Sequence, residues 1–202
     1  MLRLTRRLFL LACCGAPFTV ALGAQELSAR LDQANILHVL APGLHFLKGK
    51  SLERLKDGAT VAILGQLTLS LDANVTIATR AIARFALSYD IWEERFSVSR
   101  FAAAHQETAA RGASHLSPEA AEAWCLDHLT VDTSVLPIGR QFWIRLELRI
   151  EDGREGNQII GEPGINLTRL IEIFSRPARA QQQRWQLDAG PLHLADLRRS
   201  SS

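Results

Sequence analysis

The sequence contains few of the residues from which disulfides and reactive thiol sites are built. Only three of its 202 residues are cysteines, and two of them, Cys13 and Cys14, lie in an apolar segment near the start of the chain. If that segment is removed, Cys125 is the only thiol left, so no disulfide can form within the mature chain. We therefore expect stability to come from an apolar core, which is feasible for a chain of this size.

Metal-binding and phosphate-binding patterns are also missing. The six histidines lack the short spacing of a metal site, in which two ligands follow each other roughly three to five residues apart. No glycine-rich loop with a lysine follows a predicted strand and opens a helix, as phosphate binding requires. We predict no metal site and no cofactor.

The chain carries little net charge. Its 23 lysines and arginines nearly balance 21 aspartates and glutamates, and three of the arginines lie at positions 3, 6 and 7. Without residues 1–24 the balance becomes 20 basic against 21 acidic residues. Domains that bind nucleic acids are usually basic, so we predict no nucleic-acid partner.

The start of the chain has the pattern of an export signal. Its three arginines precede an apolar run that ends in small residues before Gln25, and this arrangement predicts cleavage after Ala24. The run is interrupted by Gly15 and Pro17, and at about 17 residues it is shorter than the roughly 20 that a membrane-spanning helix needs. The mature protein is therefore expected in the periplasm or outside the cell, with no transmembrane span.

Two more specific signals overlap this segment. Residues 5–10, Thr-Arg-Arg-Leu-Phe-Leu, resemble a twin-arginine signal, which carries folded proteins across the membrane, although Leu11 stands where a lysine is usual. Residues 10–13 resemble a lipoprotein box, which would leave the protein lipid-anchored at Cys13. The apolar run before Cys13 is short for such a signal. The general export route with a free terminus is the alternative to both.

A two-residue alternation of apolar and polar side chains dominates residues 60–100. Because this period is typical of strands with one buried face, it predicts three consecutive antiparallel strands. The same alternation predicts a fourth strand over residues 141–150. Tyr89 continues the inward series of the second strand, so its ring is expected to be buried and its hydroxyl to have a hydrogen-bond partner.

Besides a short helix over residues 52–57, with Ser51 as its N-cap and Gly58 as its stop, two longer helices are predicted. Ser117 as N-cap and Pro118 at the first helical position begin one that runs to about Leu129 and buries Ala120, Ala123 and Trp124. The second follows a glycine-rich loop after residue 151 and covers residues 167–176, where apolar residues have helical spacing. Residues 101–116 lack a clear period and are interpreted as a mobile connection.

These elements predict an α+β fold with a dominant antiparallel sheet or β-sandwich and two to three helices. The last strand is expected within residues 184–197. We place a single domain over residues 25–197, between the export signal (1–24) and a disordered tail (198–202), because no linker or internal repeat interrupts it.

Several features together resemble exported bacterial proteins of unknown function. They are the export signal, the stretch from Leu87 through Asp90-Ile91-Trp92 to Val98, a helix around Trp124, the strand Phe142-Trp143-Ile144-Arg145, and the segment from Phe174 to Trp185. The similarity extends over most of the mature chain. It implies an envelope protein and assigns no catalytic residue.

The outward face of the predicted sheet is the candidate binding surface. Five residues occupy it if the strands are neighbours, namely Arg80, Arg84, Trp143, Arg145 and Arg149. Arginine and tryptophan are enriched where proteins bind partners, so an envelope protein or an anionic surface is the expected partner. The alternative is an exposed face whose arginines pair with acids across strands, among them Glu147.

An enzyme is the second hypothesis. Cys125 and His128 lie three residues apart on the predicted helix, as a nucleophile and its base could. Asp90, Glu93 and Glu94 cluster at a strand connection, where they could act as acid and base. A buried thiol and a solvated turn are the alternatives, and no oxyanion donor is recognisable. We assign no catalytic residue and expect a non-enzymatic binding protein.

Overall fold

Nine strands and three short helices make up the part of the chain that the computed structural model describes, residues 26–72, 75–102, 111–137, 139–151 and 182–200. The strands are β1 (Ser28–Leu31), β2 (Ile36–Leu40), β3 (Val61–Ser70), β4 (Ile77–Asp90), β5 (Arg95–Ala102), β6 (Arg111–Leu116), β7 (Val131–Asp132), β8 (Phe142–Ile150) and β9 (Arg184–Leu192). The helices are α1 (Lys50–Lys56), α2 (Pro118–Asp127) and α3 (Leu194–Ser200). The predicted export signal, the glycine-rich loop beyond residue 151 and the predicted helix at 167–176 lie outside the described residues.

The larger of two sheets has six strands in the order β6-β5-β4-β3-β8-β9, and every neighbouring pair is antiparallel. Its β3, β4 and β5 are the three consecutive strands predicted from residues 60–100. The predicted fourth strand is β8, which pairs with β3. The dominant antiparallel sheet confirms the α+β prediction.

Strand β3 lies at the centre of this sheet and is buried along its whole length. Its apolar face, with Ile63 and Leu67, belongs to the main core. Gly65 lies on that face, and a Cβ there would be 3.0 Å from a methyl carbon of Leu129 and 3.3 Å from one of Leu148, so a side chain at this position would require these leucines to shift. The opposite face carries Gln66 and is buried as well, whereas the alternation predicted only that it faces away from the core.

A second layer covers the apolar face of the large sheet. It contains the three-stranded sheet β1-β2-β7 and helices α1 and α2. Helix α2 contacts both β2 and β5 and so joins the two sheets. It begins as predicted, with Pro118 in the first turn and the Ser117 hydroxyl accepting a hydrogen bond from the Ala120 amide at 3.2 Å. The core between the layers includes Phe46 and Phe85.

Two parts of the chain differ from the sequence-based predictions. The connection predicted over residues 101–116 contains the end of β5 and all of β6, which pair with each other. The sequence did not reveal β6 because this short strand at the edge of the sheet contains small and polar residues, so it has little apolar alternation. Near the end of the chain, residues predicted as strand and tail form α3, which buries Leu197 and contacts β1.

The helices of the described residues are short. None of those in the described ranges has both the length and the apolar character that a membrane span requires.

Candidate functional site

The five residues predicted to form a binding surface lie on one face of the large sheet. The strand register places Arg84 and Arg149 in one row across β4, β3 and β8. A parallel row contains Arg80 and Arg145, and Trp143 follows on the same face of β8. The order of the strands therefore brings all five residues together.

Two of these arginines are buried, so the prediction that they are exposed is wrong. Arg84 is 2% exposed and Arg149 is 7% exposed. The Nε and Nη2 atoms of Arg84 donate to Oε2 of Glu151 at 3.0 and 2.7 Å, and the ring centroid of Phe101 lies 5.8 Å from its Cζ. The alternation assigned Arg84 to a face, but it could not show that a carboxylate and a ring enclose the guanidinium there.

The other residues of this face are only partly available to a partner. Arg80 is exposed, and Trp143 is half-buried. Arg145 donates through Nε to Asp188 on β9 at 2.7 Å, which is a cross-strand ion pair of the kind expected on a solvated sheet. The face thus presents fewer accessible cations than its sequence indicates.

The first candidate catalytic pair does not form a nucleophile and base. Cys125 is 1% exposed, and burial, with a smaller contribution from the charge of Glu122, raises the pKa of its thiol far above the ordinary value. The ring of His128 stacks on Trp124, and its Nδ1 lies 2.8 Å from the Trp124 carbonyl oxygen. Within the described ranges, no hydrogen bond joins Cys125 to His128.

The second candidate cluster is a turn. The carboxylate of Asp90 accepts hydrogen bonds from the backbone amides of Trp92 and Glu93 at 2.8 and 3.1 Å, which is the usual way an aspartate stabilises a turn. Glu93 pairs with His115 on β6 at 2.6 Å, and Glu94 is exposed at a positive φ of 54°. The three carboxylates do not converge on a common point.

A different site lies between α2 and the small sheet. A groove of about 760 Å³ runs there along α2, bounded on the other side by β1, β2 and residues 41–45. We call it the α2 groove. Its apolar walls are Val39, Leu40, Ala41, Pro42 and Leu44 on the sheet side and Ala120, Ala123, Trp124 and Leu126 on the helix. A volume of this order is typical of small-molecule sites.

The buried polar group of the α2 groove is Glu122, which is 4% exposed. Its Oε1 accepts a hydrogen bond from the Leu47 amide at 2.7 Å, and its Oε2 lies 2.9 Å from Nδ1 of His45. These bonds fix the carboxylate and tie α2 to the segment between β2 and α1. A buried carboxylate with fixed partners and a histidine on the groove wall is a preorganised polar site in an otherwise apolar groove.

The opposite end of the α2 groove carries an ion-pair cluster. Arg30 on β1 donates to the Asp127 carboxylate, and Nδ1 of His38 lies 3.1 Å from the same oxygen. Partial burial alone would raise the pKa of Asp127, but the Arg30 hydrogen bond and the charges of His38 and Arg30 outweigh it and hold that pKa below its ordinary value. Asp127 is therefore charged and paired at neutral pH.

Comparison of the chain with profiles of known protein families, with curated proteins and with solved structures found no match. Among the residues that the structure describes, no three histidine, cysteine or acidic side chains are grouped so that they could hold a metal ion.

Sequence reasoning missed the α2 groove because it assigned Ala120 and Ala123 to the buried face of the helix. Both are exposed, whereas Ala121, Glu122, Cys125 and Leu126 face the core. An apolar residue at a helix surface has the same sequence signature whether a core or an open groove lies against it. The available signal was Glu122, a charged residue that lies three and four residues before Cys125 and Leu126 on the same side of the helix.

Proposed function

We propose that this protein is an exported, non-enzymatic binding protein of the cell envelope that holds a small, largely apolar molecule in the α2 groove. The observation that carries this proposal is the groove itself, an opening of about 760 Å³ with apolar walls and one fixed, buried carboxylate. Sites for small molecules generally combine apolar walls with a few placed polar groups.

Binding is favoured over catalysis by the positions of the candidate catalytic residues. The buried Cys125 thiol has no base beside it in the described part of the chain, and the carboxylates of Asp90, Glu93 and Glu94 belong to a surface turn. A hydrolase needs a nucleophile or an activated water next to a base and an oxyanion donor. In the described residues neither candidate centre has that arrangement.

The envelope location rests on the export signal predicted for residues 1–24 and on the resemblance to exported bacterial proteins. Replacing Arg6 and Arg7 with lysines should block export if the twin-arginine machinery reads the signal, and should leave it intact otherwise. The mass of the mature protein tests the alternatives at the terminus. A chain that begins at Gln25 excludes lipidation at Cys13.

An envelope protein or anionic surface at the arginine face was the partner expected from the sequence. The burial of Arg84 and Arg149 and the pairing of Arg145 with Asp188 leave that face less suited to an anionic partner. We therefore place the ligand in the α2 groove.

The proposed binding function is tested by placing a bulky side chain in the α2 groove. Nile red, an uncharged apolar dye, should bind the purified protein saturably, and Ala123→Trp should weaken its binding by about tenfold or more because a large ring replaces a groove-wall methyl group. The matched control is Ser88→Trp, which places the same ring at an exposed position on β4, away from the groove. Equal dye binding by both variants would show that the groove is not the site.

A further inference from the structure

The charges along the α2 groove are distributed unevenly. Its lining has three carboxylates, Glu119, Glu122 and Asp127, against one arginine, Arg30, and one histidine, His45. Arg30 pairs with Asp127 at the C-terminal end of α2. The excess negative charge therefore lies at the N-terminal end of the helix, where Glu119 and Glu122 are located.

Both carboxylates at that end have hydrogen-bonding partners close by. The backbone amide of Glu119 and the hydroxyl of Ser117 hold the pKa of Glu119 below its ordinary value, with smaller contributions from the charges of His45 and Lys48. Glu119 is exposed and makes no salt bridge within the described residues. The Glu122 carboxylate accepts a hydrogen bond from the Leu47 amide at 2.7 Å, and its other oxygen lies 2.9 Å from Nδ1 of His45.

The third polar group at this end is His45. A carboxylate only accepts hydrogen bonds, so the His45 Nδ1 that contacts Glu122 carries a hydrogen. Among the described residues, no hydrogen bond to the other ring nitrogen, Nε2, accompanies this contact.

We infer that the α2 groove selects an amphipathic amine, a molecule with an apolar chain and an ammonium group at one end. The inference rests on the proposed function and specifies its ligand. The apolar chain would lie along Leu40, Ala120 and Ala123, and the ammonium group would lie near Glu119 and His45. An ammonium group brings a charge opposite to that of the carboxylates in the groove lining, together with N–H donors, whereas a carboxylate would face two carboxylates of its own sign.

The experiment compares three probes that share one chain and differ in the head group, n-decylamine, n-decanol and n-decanoate, each measured by displacement of Nile red from the purified protein. We expect decylamine to bind most tightly and decanoate most weakly. The advantage of decylamine over decanol should be only about tenfold, because Glu119 is exposed and its charge is partly screened by water and salt. Glu119→Gln should weaken decylamine about threefold to tenfold and leave decanol unchanged. The matched control is Glu53→Gln, an exposed glutamate in the first turn of α1, outside the groove.

The outcomes separate this inference from the function on which it rests. Binding of decanol that Ala123→Trp weakens would support the α2 groove as the binding site. If, in that case, decylamine binds no more tightly than decanol, or Glu119→Gln leaves the advantage of decylamine intact, the amine preference is refuted and the proposed binding function is not. Tighter binding of decanoate than of decylamine refutes the preference as well. If none of the three probes displaces the dye, or if Ala123→Trp changes nothing, both the amine preference and the binding function are refuted.

Discussion

Arg84 and Glu151 form an ion pair within the large sheet. The Nε and Nη2 atoms of Arg84 both donate to Oε2 of Glu151, and both side chains are no more than 3% exposed. The second oxygen of Glu151, Oε1, is buried and has no hydrogen-bond partner in the described part of the chain. The pair is therefore only partly satisfied. Such a pair is costly to break and is itself a weak source of stability.

The first prediction concerns this pair. Arg84→Ala should lower the free energy of unfolding by about 3 to 5 kcal/mol because it leaves a buried carboxylate without its partner. Arg80→Ala, on the same strand and face but exposed, should change it by less than about 0.5 kcal/mol. Urea denaturation of both variants measures the difference.

The double variant Arg84→Met/Glu151→Leu sharpens this test. It removes both charges and keeps side chains of similar length, so it should recover most of the stability that Arg84→Ala loses. If Arg84→Ala unfolds like Arg80→Ala, the guanidinium is solvated and the burial of this face is wrong.

Arg84 also shows how far the sequence could predict this structure. The two-residue alternation identified β3, β4, β5 and β8 and assigned Arg84 to the face opposite Phe85, because strand geometry is local. Whether that face is covered depends on Phe101 and Glu151, which reach Arg84 only through strand pairing. Burial depends on how the strands assemble into the sheet, so it cannot be predicted from the alternation of apolar and polar residues.

The same reasoning explains why the α2 groove could not be predicted. Its walls come from residues 28–45 and 119–127, two segments separated by four strands of the large sheet. The bond between His45 and Glu122 joins positions 77 residues apart. The sequence predicted α2 and its cap, but the gap between α2 and β2 follows from how both pack on the core.

A second prediction concerns Tyr89, which the sequence places in the buried series. Its ring is half-buried and packs on Phe96, with 4.9 Å between the ring centroids. The hydroxyl makes no hydrogen bond within the described ranges, so the partner expected from the sequence is missing. Tyr89→Phe should therefore change the free energy of unfolding by less than about 0.5 kcal/mol.

Tyr89→Ala is the matched variant. It should lower the free energy of unfolding by about 1 to 3 kcal/mol, less than for a fully buried ring, because the contact with Phe96 is lost. A large effect of Tyr89→Phe in the same denaturation experiment would mean that the hydroxyl is hydrogen-bonded in solution.

A third prediction concerns the reactivity of the Cys125 thiol. Burial raises the pKa of Cys125, so little thiolate is present at neutral or mildly alkaline pH, and the side chain is inaccessible. In a chain with Cys13→Ser and Cys14→Ser, a disulfide reagent should label folded protein at least about 100-fold more slowly than urea-unfolded protein. Rapid labelling of the folded form that depends on His128 would instead support the thiol enzyme.

The last prediction is the response of stability to acid. The pKa of Asp127 is lowered in the folded state, because the Arg30 hydrogen bond and nearby positive charges outweigh the opposing effect of partial burial. The pKa of Asp32 is also lowered, chiefly by the hydrogen bond from the Ile36 backbone amide. A carboxyl group with a lowered folded pKa stabilises the fold above its unfolded pKa, which is about 3.9 for aspartate, and that stabilisation is lost as the pH falls through the folded value.

The free energy of unfolding should therefore be nearly constant from about pH 6 to about pH 5 and should decrease steadily below about pH 4. Asp127→Asn removes one of the groups that bind a proton in this range, so its profile should be flatter below pH 4. Arg30→Gln should flatten the profile in the same window by removing the partner, and the double variant should add little to either. Urea denaturation at a series of pH values measures all four profiles, and additive effects of the two substitutions would show that Arg30 and Asp127 are not coupled in solution.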